Sequence, residues 1–212
     1  QSIDYMAFQG YNGEINCNKE LENQLKRKLV ITDASKKVAI QNYNGYTGIE
    51  DLEIPLDIEV DPEFLGSLHY LQSISCDPDL LKYVNKSKLK SIVIPEGVTS
   101  IPKDAFIGCS ELECLEIPSS AEGLNKEMFE DCPQLSCVSC TSDMVQLFNE
   151  TKLKILRIID DGSHALYVKD IENCVNLEMI SLDDSIIVED AQIFSNFPKL
   201  KKINYNEAIN KN

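Results

Sequence analysis

Basic residues are in short supply. Lys and Arg number 20 against 35 Asp and Glu, a formal net charge of −15. That balance argues against a nucleic-acid or anionic-membrane surface, because such partners are held largely by Lys and Arg on phosphates. Basic partners stay open. No apolar run approaches the roughly 18 residues of a membrane span, so no membrane insertion is expected of this chain. No charged-then-apolar leader opens the chain, which starts at Gln1 and leaves a signal or anchor elsewhere open. Histidine is rarer still: His69 and His164 are the only two, and neither sits in a metal-binding or nucleophile-base motif. A Gly-rich phosphate loop, a Ser-based elbow and HExxH are all missing. Neither an enzyme nor a cofactor is expected. The eight cysteines lack the paired CxxC spacing of a zinc site; Cys137 and Cys140 form one lone CxxC.

What is present is a repeat. The stretch from Leu89 to Glu111 is followed at once by a degenerate copy of itself beginning at Leu112. Aligning on an apolar residue with others at +3 and +5 gives anchors at Ile49, Leu71, Leu89, Leu112, Leu135, Leu153, Leu177 and Leu200, with gaps of 22, 18, 23, 23, 18, 24 and 23. The +3/+5 pairs run from Leu52/Ile54 to Ile203/Tyr205, an alternation that makes each segment a short strand with one buried face. Units of this kind bury their apolar edge only by stacking on neighbours. The expected fold is a right-handed solenoid, with one parallel sheet of about eight short strands and irregular loops opposite.

Six residues before each following anchor stands a bulky apolar residue, Leu65, Tyr83, Phe106, Phe129, Leu147, Ile171 or Phe194, expected to fill the wall facing the sheet. Three before the anchor the residue is polar only in the two 18-residue units, Lys86 and Glu150, so those turns should be tighter. Residues 1–48 do not carry the repeat and are expected to cap the open end of the stack, with 49–212 as the repeat domain in one continuous structural unit. Within the cap a helix is expected from about Lys19 to Leu29, N-capped by Asn18, then strand-like runs at Leu29–Ile31 and Val38–Ile40.

Leu89, Ile92, Ile94, Pro95, Val98, Ile101, Ala105, Phe106 and Cys109 resemble the BspA-type leucine-rich repeat, L-x-x-I-x-I-P-x-x-V-x-x-I followed by Ala-Phe and Cys. The next unit keeps Leu112, Leu115, Ile117, Pro118, Phe129 and Cys132, and weaker copies extend over about 49–205, with the Pro and Ala-Phe elements missing from the units at Leu153 and Leu177. The resemblance implies a horseshoe-like fold without catalytic residues. It also implies a surface or secreted protein of the adhesion type, with a host surface or matrix protein as partner. An intracellular scaffold or regulator in the cytoplasm is the alternative, which many unpaired thiols would suit.

The outward positions, +2 and +4 from each anchor, carry three acids and two bases and are nearly neutral on a strongly acidic chain. A protein ligand is therefore expected on this face around Ser91, Val93, Ile155, Arg157, Met179 and Ser181, where apolar side chains and an arginine gather. Asp160, Asp161, Asp183 and Asp184 follow two consecutive strands, and rungs about 4.8 Å apart would let such carboxylates converge on Ca2+. A solvated acidic edge is favoured over calcium, since no liganding motif of fixed spacing supports the metal. Cys76, Cys109, Cys132, Cys140 and Cys174 take inward positions as small hydrophobes, whereas Cys114 and Cys137 take outward ones on neighbouring rungs.

Overall fold

The computed structural model describes residues 27–31, 37–38, 48–162, 165–188 and 191–204. One parallel sheet runs through it. Its nine strands are β1 (Lys28–Val30), β3 (Asp51–Glu53), β5 (Ser73–Ser75), β6 (Ser91–Val93), β7 (Cys114–Glu116), β8 (Cys137–Cys140), β9 (Ile155–Ile158), β11 (Met179–Leu182) and β13 (Lys202–Asn204), stacked in chain order. The central ladder is Leu29, Leu52, Ile74, Ile92, Leu115, Val138, Leu156, Ile180 and Ile203, the +3 positions in unbroken register. The core is continuous along the stack, and anchors such as Leu89, Leu112, Leu153 and Leu177 are fully buried.

The ninth strand comes from the segment expected to cap the stack. Leu29 pairs with Leu52, one rung of 23 residues earlier, so the sheet begins before the first apolar anchor. The end of the expected helix is thus strand at Lys28 and Leu29, because pairing with β3 outweighs the helical spacing of the leucines. The rest of that helix lies outside the described residues. Of the second expected run, Val38 lies in β2 (Lys37–Val38), and Ala39 and Ile40 lie outside the described residues.

Long and short units cross the side opposite the sheet differently. Consecutive long units pair a second time there: β2 with β4 (Glu59–Val60), Ser100 with Glu122, and β10 (Ala165–Leu166) with β12 (Ile187–Val188). The short units instead fold into consecutive 3-10 helices, Pro78–Tyr83 then Lys86–Lys88, and Ser142–Leu147 then Glu150–Lys152.

Core filling shifts accordingly. Phe106 and Phe129 are buried and stacked with ring centroids 5.4 Å apart, but the next ring in the row is Phe148, 4.7 Å from Phe129. Leu147, expected in that place, is only partly buried, and Tyr83 in the other short unit is exposed, with Leu81 and Val84 buried instead. In both short units the residue that closes the 3-10 helix, Val84 or Phe148, is turned inward.

Proline limits the length of three strands. At +6 stand Pro55, Pro95 and Pro118, which have no N–H to continue a ladder, and β3, β6 and β7 are three residues long; β5, with Asp77 at that position, is three residues long beside β6. At the same position Ile159 N–H donates to Cys140 O (3.0 Å) and Asp183 N–H to Ile158 O (3.1 Å), and β8, β9 and β11 have four residues. After Pro95 the turn closes through Gly97 at φ 93°, a left-handed conformation that glycine adopts without strain; Asp57 holds the same place after Pro55 at φ 68°.

Candidate sheet-face binding site

Two parallel rows of side chains stand on the sheet face. The +2 row runs Asp51, Ser73, Ser91, Cys114, Cys137, Ile155, Met179 and Lys202, and the +4 row Glu53, Ser75, Val93, Glu116, Ser139, Arg157, Ser181 and Asn204. The expected ligand-binding residues divide between two places. Ile155 and Arg157 on β9 are register partners of Met179 and Ser181 on β11. Ser91 and Val93 on β6 lie three strands away, roughly 14 Å at the usual spacing.

A shallow groove of about 350 Å3 along the C-terminal ends of the strands connects the two, with Val93, Glu116, Ser139 and Arg157 in its lining. Carboxylates dominate its charge: Glu96, Glu116, Asp160 and Asp183 face Arg157 alone among cations of the lining. Arg157 is not an unengaged anchor. Its Nη2 donates to Asp183 Oδ1 at 3.0 Å, with the arginine side chain 53% exposed. Ile155 is exposed beside it, and Met179 half-buried.

The acidic loops are built from hydrogen bonds between aspartates and the chain. Asp160 N–H donates to Asp183 Oδ2 (3.3 Å), Ser185 Oγ to Asp160 Oδ2 (2.7 Å), and Gly162 N–H to Asp160 Oδ1 (2.9 Å). Asp160 and Asp183 do come together, through the bond from the Asp160 backbone, and each accepts donors from the protein. Among the described residues no group of three or more His, Cys, Asp or Glu is placed to hold a metal ion.

The cysteines divide as their positions require. Cys76, Cys109, Cys132, Cys140 and Cys174 are buried, while Cys114 and Cys137 are half-buried register partners on the face. Burial pushes the Cys76 and Cys174 thiols up to about 12, reinforced by Asp77 and Glu150 respectively. Cys137 is also raised to about 12, by burial first, then by its hydrogen bond with Cys114, then by the charges of Cys114 and Glu116. A second cross-rung pair lies in the core: Cys132 shares a thiol hydrogen bond with Cys109 that holds its proton on, and its Sγ lies 3.9 Å from Phe106 O. His69 resides in a loop after the short helix Pro62–Gly66 and is exposed; His164 lies outside the described residues.

The BspA type leucine rich repeat region matches residues 82–157 and 146–212, in six copies. That is more than half of the chain, and the chain belongs to this family. Among solved structures it is similar to the Toll–Spatzle complex of Drosophila, at 16% identity and TM-score 0.60, over 97% of this chain and 30% of that one. The glycosylated form of the same complex aligns at 15% identity and TM-score 0.58, over 96% and 29%. An internalin C2 from Listeria monocytogenes aligns at 15% identity and TM-score 0.47, over 80% of this chain and 77% of that one. The likeness to Toll is one of fold, and this chain spans about 30% of the Toll chain's length. No curated protein matches the sequence.

Proposed function

We propose that this member of the BspA-type leucine-rich repeat family is a non-enzymatic adhesion module of a cell-surface or secreted protein, and that a host surface or matrix protein docks on its sheet face. The observation that carries this reading is the unbroken double row of outward side chains, in register over eight strands from β3 to β13. Ile155 and Met179 stand side by side on it and supply the apolar anchors, and Val93 extends the contact through the groove. Arg157 and Asp183 contribute one donor and one acceptor at the rim. The carboxylates of the groove favour a partner with basic side chains at its edge and disfavour nucleic acid. Among the described residues no helix is long and apolar enough to cross a membrane.

The test is binding to matrix-coated and cell surfaces. Ile155→Ser/Met179→Ser should weaken it by at least about 1 kcal/mol with thermal stability nearly unchanged. This pair is cleaner than one that includes Arg157, whose loss would also release Asp183. If the double variant binds normally while Asp161→Asn/Asp184→Asn, on the exposed loops, abolishes binding, the ligand sits on the loop edge and the sheet-face reading falls.

A second reading, a cytoplasmic scaffold or regulator of another protein, draws on the seven described cysteines, all of them free thiols. Titration of thiols in protein taken from its native source separates the two. Eight free thiols favour the cytoplasm, whereas oxidised thiols or a glycan on the exposed Asn85 of Asn85-Lys86-Ser87 favour export.

A further inference from the structure

Cys137 belongs to the one CxxC of the chain, yet its partner there, Cys140, faces the opposite side of the strand and is fully buried. The thiol that does face Cys137 is on another rung. Cys114 and Cys137 are Cα partners in adjacent parallel strands, which places their Cα atoms about 4.8 Å apart, within the roughly 4.4–6.8 Å that a disulfide bridges. Both point from the same face, and both are half-buried rather than enclosed. Cys109 and Cys132 share the same 23-residue offset but are sealed in the core, so the fold contains a buried and an open version of one arrangement.

We propose that Cys114 and Cys137 form a paired-thiol modification site on the sheet face, which reacts with small-molecule disulfides of the glutathione type and closes to a cross-rung disulfide. The chemistry needs no other reactant. The Cys114 thiolate attacks one sulfur of the disulfide, forming a mixed disulfide and expelling one thiolate. Cys137 then attacks the Cys114 sulfur, the second small thiol leaves with the Cys137 proton, and the sum is dithiol plus disulfide to protein disulfide plus two thiols. Cys114 attacks first because Cys137 keeps its proton, held first by burial. The bridge would sit midway between Val93 and Arg157, at the centre of the double row of face side chains. The site itself does not depend on the docking proposal.

The experiment treats the folded full chain, with Cys17 outside the described residues changed to Ser, with oxidised glutathione near pH 8. The reaction is quenched by acid, free thiols are alkylated and the protein is cut with chymotrypsin. Cleavage after Leu112 and Leu135 separates Cys114 from Cys109 and Cys137 from Cys132, and fragmentation tells Cys137 from Cys140. The expected product is a Cys114–Cys137 disulfide formed at least about tenfold faster than any change at the buried thiols, whose reaction waits on local opening. Cys137→Ser should stop at a mixed disulfide on Cys114, and Cys114→Ser should leave Cys137 largely unmodified. Thermal melts confirm that each variant is folded before it is scored, and a variant that fails is replaced by the corresponding Ala change. Mixed disulfides that never close, equal reaction of the two single variants, or earlier oxidation of Cys109 with Cys132 would each overturn the proposal.

Discussion

The 18-residue and 23-residue turns build the same sheet from different backs. Between Ser73 and Ser91, and between Cys137 and Ile155, the chain returns to the next rung five residues sooner, yet neither row of face side chains slips. The missing residues all come from the far side, where second-row pairing is replaced by 3-10 helices. Core composition moves with them. Three of the five long units bury a cysteine three residues before the next anchor, at Cys109, Cys132 and Cys174, and the other two bury Leu68 and Phe197, where the short units carry Lys86 and Glu150. The short units place their buried cysteine at the strand end instead, Cys76 and Cys140, where long units have Ile or Leu. Turn length is therefore absorbed by the wall opposite the sheet, and the face is insulated from it.

Both arrangements depend on neutral thiols, so the largest effect expected is loss of the fold at alkaline pH. Cys76 in a short unit and Cys174 in a long one are raised from an ordinary 9.0 to about 12 by burial. A group raised on folding stabilises fully below its unfolded value, so stability should hold up to about pH 9 and fall as pH climbs to about 12. Circular dichroism across that range checks it. Cys76→Val and Cys174→Val should each lose less stability between those limits, relative to their own value at pH 7; equal losses in wild type and variants would assign the alkaline transition to other groups.

The next largest effect separates the two core walls. Phe106→Ala, Phe129→Ala and Phe148→Ala should each cost about 3–5 kcal/mol, the usual range for a buried ring, while Tyr83→Ala should cost under about 1. Denaturant melts that place Tyr83 among the phenylalanines would mean that short turns fill the core as long ones do. The smallest effect tests how a short turn is fastened to the long one after it. Lys86 Nζ donates to Asp104 O (2.9 Å) and Ala105 O (3.0 Å), whereas exposed Lys152 Nζ reaches back to Pro133 O alone (3.0 Å). Lys86→Met should cost about 1 kcal/mol and Lys152→Met under about 0.5 in the same melts. Equal costs would show that the doubled contact of Lys86 adds nothing.

Most of the sheet was legible because its signal is local: one apolar side chain every second residue, recurring at a nearly constant period. A strand at Leu29–Ile31 was legible and appears one residue early as β1, but its place as the first rung of the sheet was not, because Lys26 stands where its apolar anchor would be. Phe148 escaped for another reason. Counting back six residues lands on Leu147, the last residue of the 3-10 helix Ser142–Leu147, whereas the ring that enters the core is on the residue that closes it. On the face, the rows put Ile155 beside Met179 from spacing alone, but the tie between Arg157 and Asp183 joins a strand to a loop 26 residues later, and spacing could not weigh it. The cysteine pair was readable as neighbours; the burial that raises the Cys137 thiol was not.

The prolines after Ile54, Ile94 and Ile117 have a mechanical consequence. Where they stand, each rung lacks the hydrogen bond that Ile159 and Asp183 make farther along the stack. Pulled from its ends, the arc would meet less resistance per rung from β3 to β7 than from β8 to β11, so it carries a built-in order of peeling, with the proline-bearing half giving way first and the Ile155–Met179 half holding its shape longest under load.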